Sequence, residues 1–81
     1  MKASVYVHLK KTVLDPQGQT ILQALHGLGH NGVEAVRQGK SFELQLASNL
    51  TAEQARAEVE RIAKDVLTNP VIEEFTYRLE E

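Results

Sequence analysis

The sequence predicts an α+β fold whose elements follow the order strand, helix, strand, strand, helix, strand. The first and last segments alternate apolar and polar residues with a period of two, as half-buried strands do. Two segments between them repeat aliphatic residues at helical spacing, and glycine or proline separates most of the segments. A chain of 81 residues has room for one hydrophobic core, so we expect a single domain over residues 1–81.

Residues 2–28 are predicted to form the first strand and the first helix. Within residues 2–10 the apolar side chains alternate with polar ones, which places them on one face of a strand. Asp15 has a side chain that caps helices, and Pro16 suits the first helical turn because its missing N–H would be unpaired there. The leucines that follow repeat every three or four residues until glycine ends the helix.

The rest of the chain is predicted to contain a hairpin, a second helix and a last strand. Residues 33–38 and 41–46 are predicted strands, because the short glycine-containing connection at residues 38–40 favours an antiparallel hairpin. Residues 51–67 begin with a capping box and continue with helical spacing, and residues 71–79 alternate as a strand. Together these elements predict a ferredoxin-like βαββαβ fold, with a four-stranded antiparallel sheet and two helices on one of its faces.

Composition and charge exclude several classes of protein. Nine basic and eleven acidic residues give a net charge of −2, and the basic residues are scattered, which argues against nucleic-acid binding. The chain has no cysteine, so disulfides and thiolate metal sites are excluded. Its first residues lack the continuous apolar stretch of a signal peptide, and no run approaches the roughly 20 apolar residues of a membrane span. We therefore expect a cytoplasmic protein.

Five residues in two short segments are candidates for contact with other proteins: Asp15, Gln17, Gly18, Arg37 and Lys40. Gly18 weakens a first helical turn by about 1 kcal/mol relative to alanine, which indicates that another backbone or a ligand approaches it closely. Arg37 and Lys40 flank the predicted turn and give it positive charge. Residues that break a local rule without local compensation are candidates for functional contacts.

We expect no catalytic residue, no metal site and no cofactor in this chain. His26 and His30 are four residues apart, but Gly29 is predicted to end the helix between them and to spoil a shared metal site. Glu73 and Glu74 are adjacent on a predicted strand, so their carboxylates face opposite ways and form no catalytic pair. No serine lies in a Gly-x-Ser-x-Gly segment. The chain alone is expected to be inactive.

Four segments occur in an order and at a spacing that resemble one known family. They are residues 14–18 (LDPQG), residues 24–25 with 32–33 (AL with GV), residues 36–40 (VRQGK) and residues 69–73 (NPVIE). In this order they resemble the PurS family, the small subunits of phosphoribosylformylglycinamidine synthase, along essentially the whole chain.

This resemblance implies a non-catalytic accessory subunit in de novo purine biosynthesis. In the family, the glutaminase subunit PurQ releases ammonia, and the synthetase subunit PurL activates the formyl amide of its substrate with ATP. PurS brings the two together and supports the transfer of ammonia between them. The resemblance therefore implies PurQ and PurL as partners of this chain.

Self-association is a further expectation, because two helices can cover only one face of the predicted sheet. Tyr6, and either Thr76 or Tyr77, are expected on the other face. Pairing of sheet faces or edges from two chains would bury these side chains. We therefore expect a homodimer or a homotetramer.

Two other functions remain open on the same order of elements. An ACT-like regulatory module would bind a small molecule near the first helix, where Gly18 is a distant counterpart of its ligand-binding glycine. An acylphosphatase-like enzyme would need an arginine in a phosphate-binding loop after the first strand. Residues 10–16 contain neither that arginine nor a glycine, so the enzyme is the less favoured of the two.

Overall fold

The computed structural model describes residues 1–80 and contains three strands, two α-helices and one π-helical segment. The strands are β1 (Lys2–Leu9), β2 (Gly39–Gln45) and β3 (Glu73–Glu80). The helices are α1 (Pro16–Gly27) and α2 (Ala52–Ile62), and α2 continues into the π-helical segment Ala63–Leu67. Within the described chain, neither helix has the length and apolar character that a membrane crossing requires.

The three strands form one antiparallel sheet in the order β2-β1-β3. Val5 of β1 lies opposite Phe42 and Tyr77, so these side chains share one face, the inner face of the sheet. Tyr6 lies opposite Thr76 on the other, outer face, where both are exposed. The expectation that Tyr6 and either Thr76 or Tyr77 lie on the face opposite the core is confirmed, and Thr76 is the one of the two that does.

The prediction of a four-stranded sheet is wrong, because residues 33–38 form no strand. Their half-buried valines, Val33 and Val36, are three residues apart rather than two, so they do not make one face of a strand. Side chains outside the sheet also occupy backbone groups of this segment. The His26 ring lies 2.7 Å from the Val33 carbonyl oxygen, and the Gln38 N–H donates a hydrogen bond to Asp15. The sheet therefore has three strands, and the predicted turn residues Gly39 and Lys40 open β2.

The hydrophobic core lies between the inner face of the sheet and α2. Val5 of β1 is fully buried, as are Val59 and Ala63, and half-buried aliphatic and aromatic residues of β2 and β3 pack against them. The predicted capping box starts α2, and its last turn widens at residues 63–67, where the Thr68 N–H donates to the Ala63 carbonyl. The prediction that both helices cover one face of the sheet is wrong for α1, which among residues 1–80 contributes no side chain to this core.

Candidate partner-binding site

Three of the segments that carry the family resemblance meet at one end of the sheet. They surround a groove of ≈ 220 Å³. The polar residues that line the groove are His8, Asp15, Gln17, Gln38, Lys40 and Glu73. The fold thus brings three of the five predicted contact residues into one groove. Gly18 and Arg37 lie next to it in the chain.

Asp15 joins the start of α1 to the segment that precedes β2. One of its carboxylate oxygens accepts a hydrogen bond from the Gly18 N–H at 3.0 Å, which caps the helix as predicted. The other accepts a hydrogen bond from the Gln38 N–H at 2.7 Å, 23 residues further along the chain. These donors, with Gln38 the stronger, and the nearby Arg37 charge hold the pKa of Asp15 below its usual 3.8. Asp15 is 4% exposed, so it lies beneath the surface of the groove.

Gly18 is buried beneath the same segment, and the close approach of another backbone predicted from the sequence is confirmed. That backbone belongs to the chain itself. A Cβ atom at residue 18 would overlap the Val36 carbonyl oxygen and would lie 2.8 Å from a carboxylate oxygen of Asp15. Glycine is therefore required so that residues 36–38 can lie against the first turn of α1.

Arg37 ties the same segment to the loop between β1 and α1. Its guanidinium donates hydrogen bonds of 3.0 Å to the backbone carbonyls of Lys10 and Val13. Both carbonyls lie in the irregular backbone between β1 and α1, and the Lys10 carbonyl also accepts a hydrogen bond from the Val13 N–H. Arg37 therefore holds a loop as well as carrying a charge at the surface, a role that its sequence position did not reveal.

The rim of the groove is made of paired polar side chains. The Gln38 amide donates a hydrogen bond to the Gln17 side-chain oxygen at 2.7 Å. The Lys40 ammonium lies 3.7 Å from a Glu73 carboxylate oxygen and 5.8 Å from the centroid of the Phe42 ring. Gln17, Gln38 and Lys40 remain exposed, so they are the residues here that another molecule can reach.

Three polar groove residues, His8, Gln38 and Glu73, were not among the predicted contact residues. Glu73 lies on the inner face and accepts a 2.7 Å hydrogen bond from the Asn69 N–H, whereas Glu74 points to the outer face and pairs with His8 at 3.1 Å. The prediction that the two glutamates face opposite ways is confirmed. The position of Glu73 inside the NPVIE segment was the signal that pointed to it.

The contact at Gly18 leads to a test with two glycines of the same helix. Gly18→Ala should lower the free energy of unfolding by about 1–3 kcal/mol, because the new methyl group meets fixed backbone. Gly27→Ala is the matched control, since nothing lies within 4 Å of its Cβ position. We expect the free energy of unfolding of that control to be unchanged or to rise by up to about 1 kcal/mol, because alanine has the higher helix propensity. Urea unfolding of both variants measures the difference, and equal stabilities would contradict the close contact.

Comparison with known proteins identifies the family of this chain. The family model PurS, phosphoribosylformylglycinamidine (FGAM) synthase, matches residues 2–81. The phosphoribosylformylglycinamidine synthase subunit PurS of Mycobacterium leprae (strain TN) is 45% identical over 75 residues, which cover 93% of this chain and 90% of that protein.

Solved structures agree in both sequence and fold. The crystal structure of Methanocaldococcus jannaschii PurS, one of the subunits of formylglycinamide ribonucleotide amidotransferase in the purine biosynthetic pathway, superposes with a TM-score of 0.87. The two chains are 40% identical, and the match covers 99% of this chain and 95% of that one. A chain in the structure of PurLQS from Thermotoga maritima gives a TM-score of 0.86 at 32% identity, over 95% of this chain and 93% of that one. This chain therefore belongs to the PurS family of phosphoribosylformylglycinamidine synthase.

Proposed function

We propose that this chain is the small, non-catalytic subunit of a phosphoribosylformylglycinamidine synthase complex. In that complex it bridges the glutaminase PurQ and the ATP-dependent synthetase PurL and supports the transfer of ammonia. The observation that carries the proposal is the full-length similarity to a chain of the Thermotoga maritima PurLQS structure, at 32% identity and a TM-score of 0.86. The same proposal places the chain in the cytoplasm, where a biosynthetic complex has access to ATP and glutamine.

The contacts within the groove support a binding role rather than a catalytic one. The carboxylate of Asp15 is occupied by two backbone N–H groups, and the ammonium of Lys40 is paired with Glu73. The His8 ring is paired with Glu74 on the outer face. Side chains held in this way are suited to fixing the shape of a surface, whereas a general base needs a free position beside its substrate.

The proposed contact residues divide into two kinds by their burial. Gln17, Arg37 and Lys40 are exposed, so they are placed to touch a partner subunit. Asp15 and Gly18 are buried and contribute by holding residues 36–38 in position under that surface. Gly18 has an intrachain reason to be glycine, so its contribution to partner binding is indirect.

Reconstitution with the PurQ and PurL of the same organism tests the proposed function. The chain should co-purify with both subunits, and glutamine-dependent amidation should require all three proteins. The chain alone should hydrolyse no glutamine. The proposal would be contradicted if PurQ and PurL had full glutamine-dependent activity without the chain, or if the chain alone hydrolysed glutamine.

We also propose that the chain forms a homodimer or a homotetramer. Its radius of gyration is 16.2 Å, whereas a compact chain of this length would have about 12 Å. Ile21 on α1 and Leu28, the residue directly after α1, are both exposed, with Leu28 at 76% of its full surface. A second copy packed against α1 would bury these side chains, which the core of a single chain leaves in water.

Light scattering at micromolar concentration measures this association. The expected mass is at least twice the 9.0 kDa of one chain. Leu28→Glu should lower the mass because it places a charge in the proposed contact, whereas Val66→Glu, which alters an equally exposed residue away from α1, should not. A mass of one chain for the unmodified protein would contradict self-association, and an unchanged mass for Leu28→Glu would exclude α1 as the contact.

A further inference from the structure

The loop after β1 and the turn before β3 lie side by side and form a second exposed surface. The Lys10 N–H donates a 2.9 Å hydrogen bond to the Ile72 carbonyl, which joins the two segments. Arg37 holds the loop from the other side through the carbonyls of Lys10 and Val13. Both segments are therefore fixed in the folded chain, and a rigid surface loses little conformational entropy when a partner binds it.

Each of the two joined segments carries an exposed apolar side chain. Leu14 is 71% exposed and Val71 is 77% exposed, and Ile72 also leaves part of its side chain in water. The turn that carries Val71 is held by Asn69, whose side-chain oxygen accepts a hydrogen bond from the Val71 N–H at 3.1 Å. Large apolar side chains held out into water on rigid backbone are typical of protein-binding surfaces.

Two lysines lie in the same loop as Leu14. Among residues 1–80, Lys10 and Lys11 take part in no ion pair within 4.0 Å. Residues 10–40 contain four basic and two acidic residues, whereas residues 41–81 contain four basic and nine acidic ones. The loop itself therefore carries two positive charges that are unpaired in the described part of the chain, whereas Glu73 and Glu74, the carboxylates that follow Ile72, lie in β3 opposite the end of β1.

We propose that these five residues, Lys10, Lys11, Leu14, Val71 and Ile72, form a docking surface for an acidic face of a partner subunit. The inference rests on the proposed function and adds the chemistry of the partner. Exposed apolar side chains on joined segments, with two ammonium groups that are unpaired among the described residues, match a protein surface that has apolar side chains among carboxylates. Two lysines are too few to replace the counterions along a nucleic-acid strand, so a protein is the better-matched occupant.

Charge reversal at two matched pairs of positions tests this surface. Lys10→Glu with Lys11→Glu should weaken binding to the cognate PurL and PurQ by about tenfold or more and should reduce its dependence on salt. Arg61→Glu with Lys64→Glu makes the same change in net charge on α2 and the π-helical segment, and it should change the dissociation constant by less than about threefold. Calorimetry at low and high salt measures both pairs, and thermal melting shows whether each variant is folded.

Val71→Ser tests the apolar part of the surface without altering any charge. It should weaken binding by at least about threefold while leaving the salt dependence of binding unchanged. If the lysine variant fails to fold, this variant still tests the surface. If the unmodified chain binds neither PurL nor PurQ, the proposed function itself is overturned. Normal binding by the unmodified chain, together with equal affinities of the lysine variant and its control, would overturn only this docking surface.

Discussion

The arrangement of the candidate site depends on the carboxylate of Asp15. Its two oxygens accept hydrogen bonds from the Gly18 N–H in the first turn of α1 and from the Gln38 N–H just before β2. One buried side chain therefore caps a helix and fixes the path of a segment that has no strand partner of its own. A buried carboxylate is tolerated here because both oxygens are satisfied by donors that cannot be lost without unfolding the local backbone.

Two neighbouring contacts make this connection specific. Gly18 leaves the space that the Val36 carbonyl occupies, and Arg37 extends the same segment to the β1–α1 loop through two backbone carbonyls. The groove residue Lys40 follows directly and is paired with Glu73 at the start of β3. Segments that are far apart in the chain thus share one surface, which is the physical basis for our proposal that this end of the molecule binds a partner.

Sequence patterns predicted the elements whose formation depends on residues close together in the chain. The alternation of β1, the cap at Asp15 and the capping box of α2 were confirmed, because each depends on residues a few positions apart. The fourth strand was wrong because residues 33–38 are held by long-range bonds, such as the one from Gln38 to Asp15, that leave no periodic pattern. Sequence patterns could not decide whether Thr76 or Tyr77 lies on the outer face, because strand register decides it. Tyr77 lies on the inner face, where its hydroxyl donates a hydrogen bond to Glu60 of α2.

The pH dependence of stability in the unmodified chain and in Asp15→Asn tests the central role of Asp15 most directly. Because the folded chain lowers the pKa of Asp15 below 3.8, its stabilising contribution is present above about pH 4 and is lost as the pH falls through the lowered pKa. An asparagine can accept only one of the two hydrogen bonds, since its amide nitrogen is a donor. The account predicts that the unmodified chain has the larger free energy of unfolding at pH 7 and that the difference shrinks below about pH 4. Equal stability of the two proteins at pH 7, or a difference that does not change with pH, would contradict it.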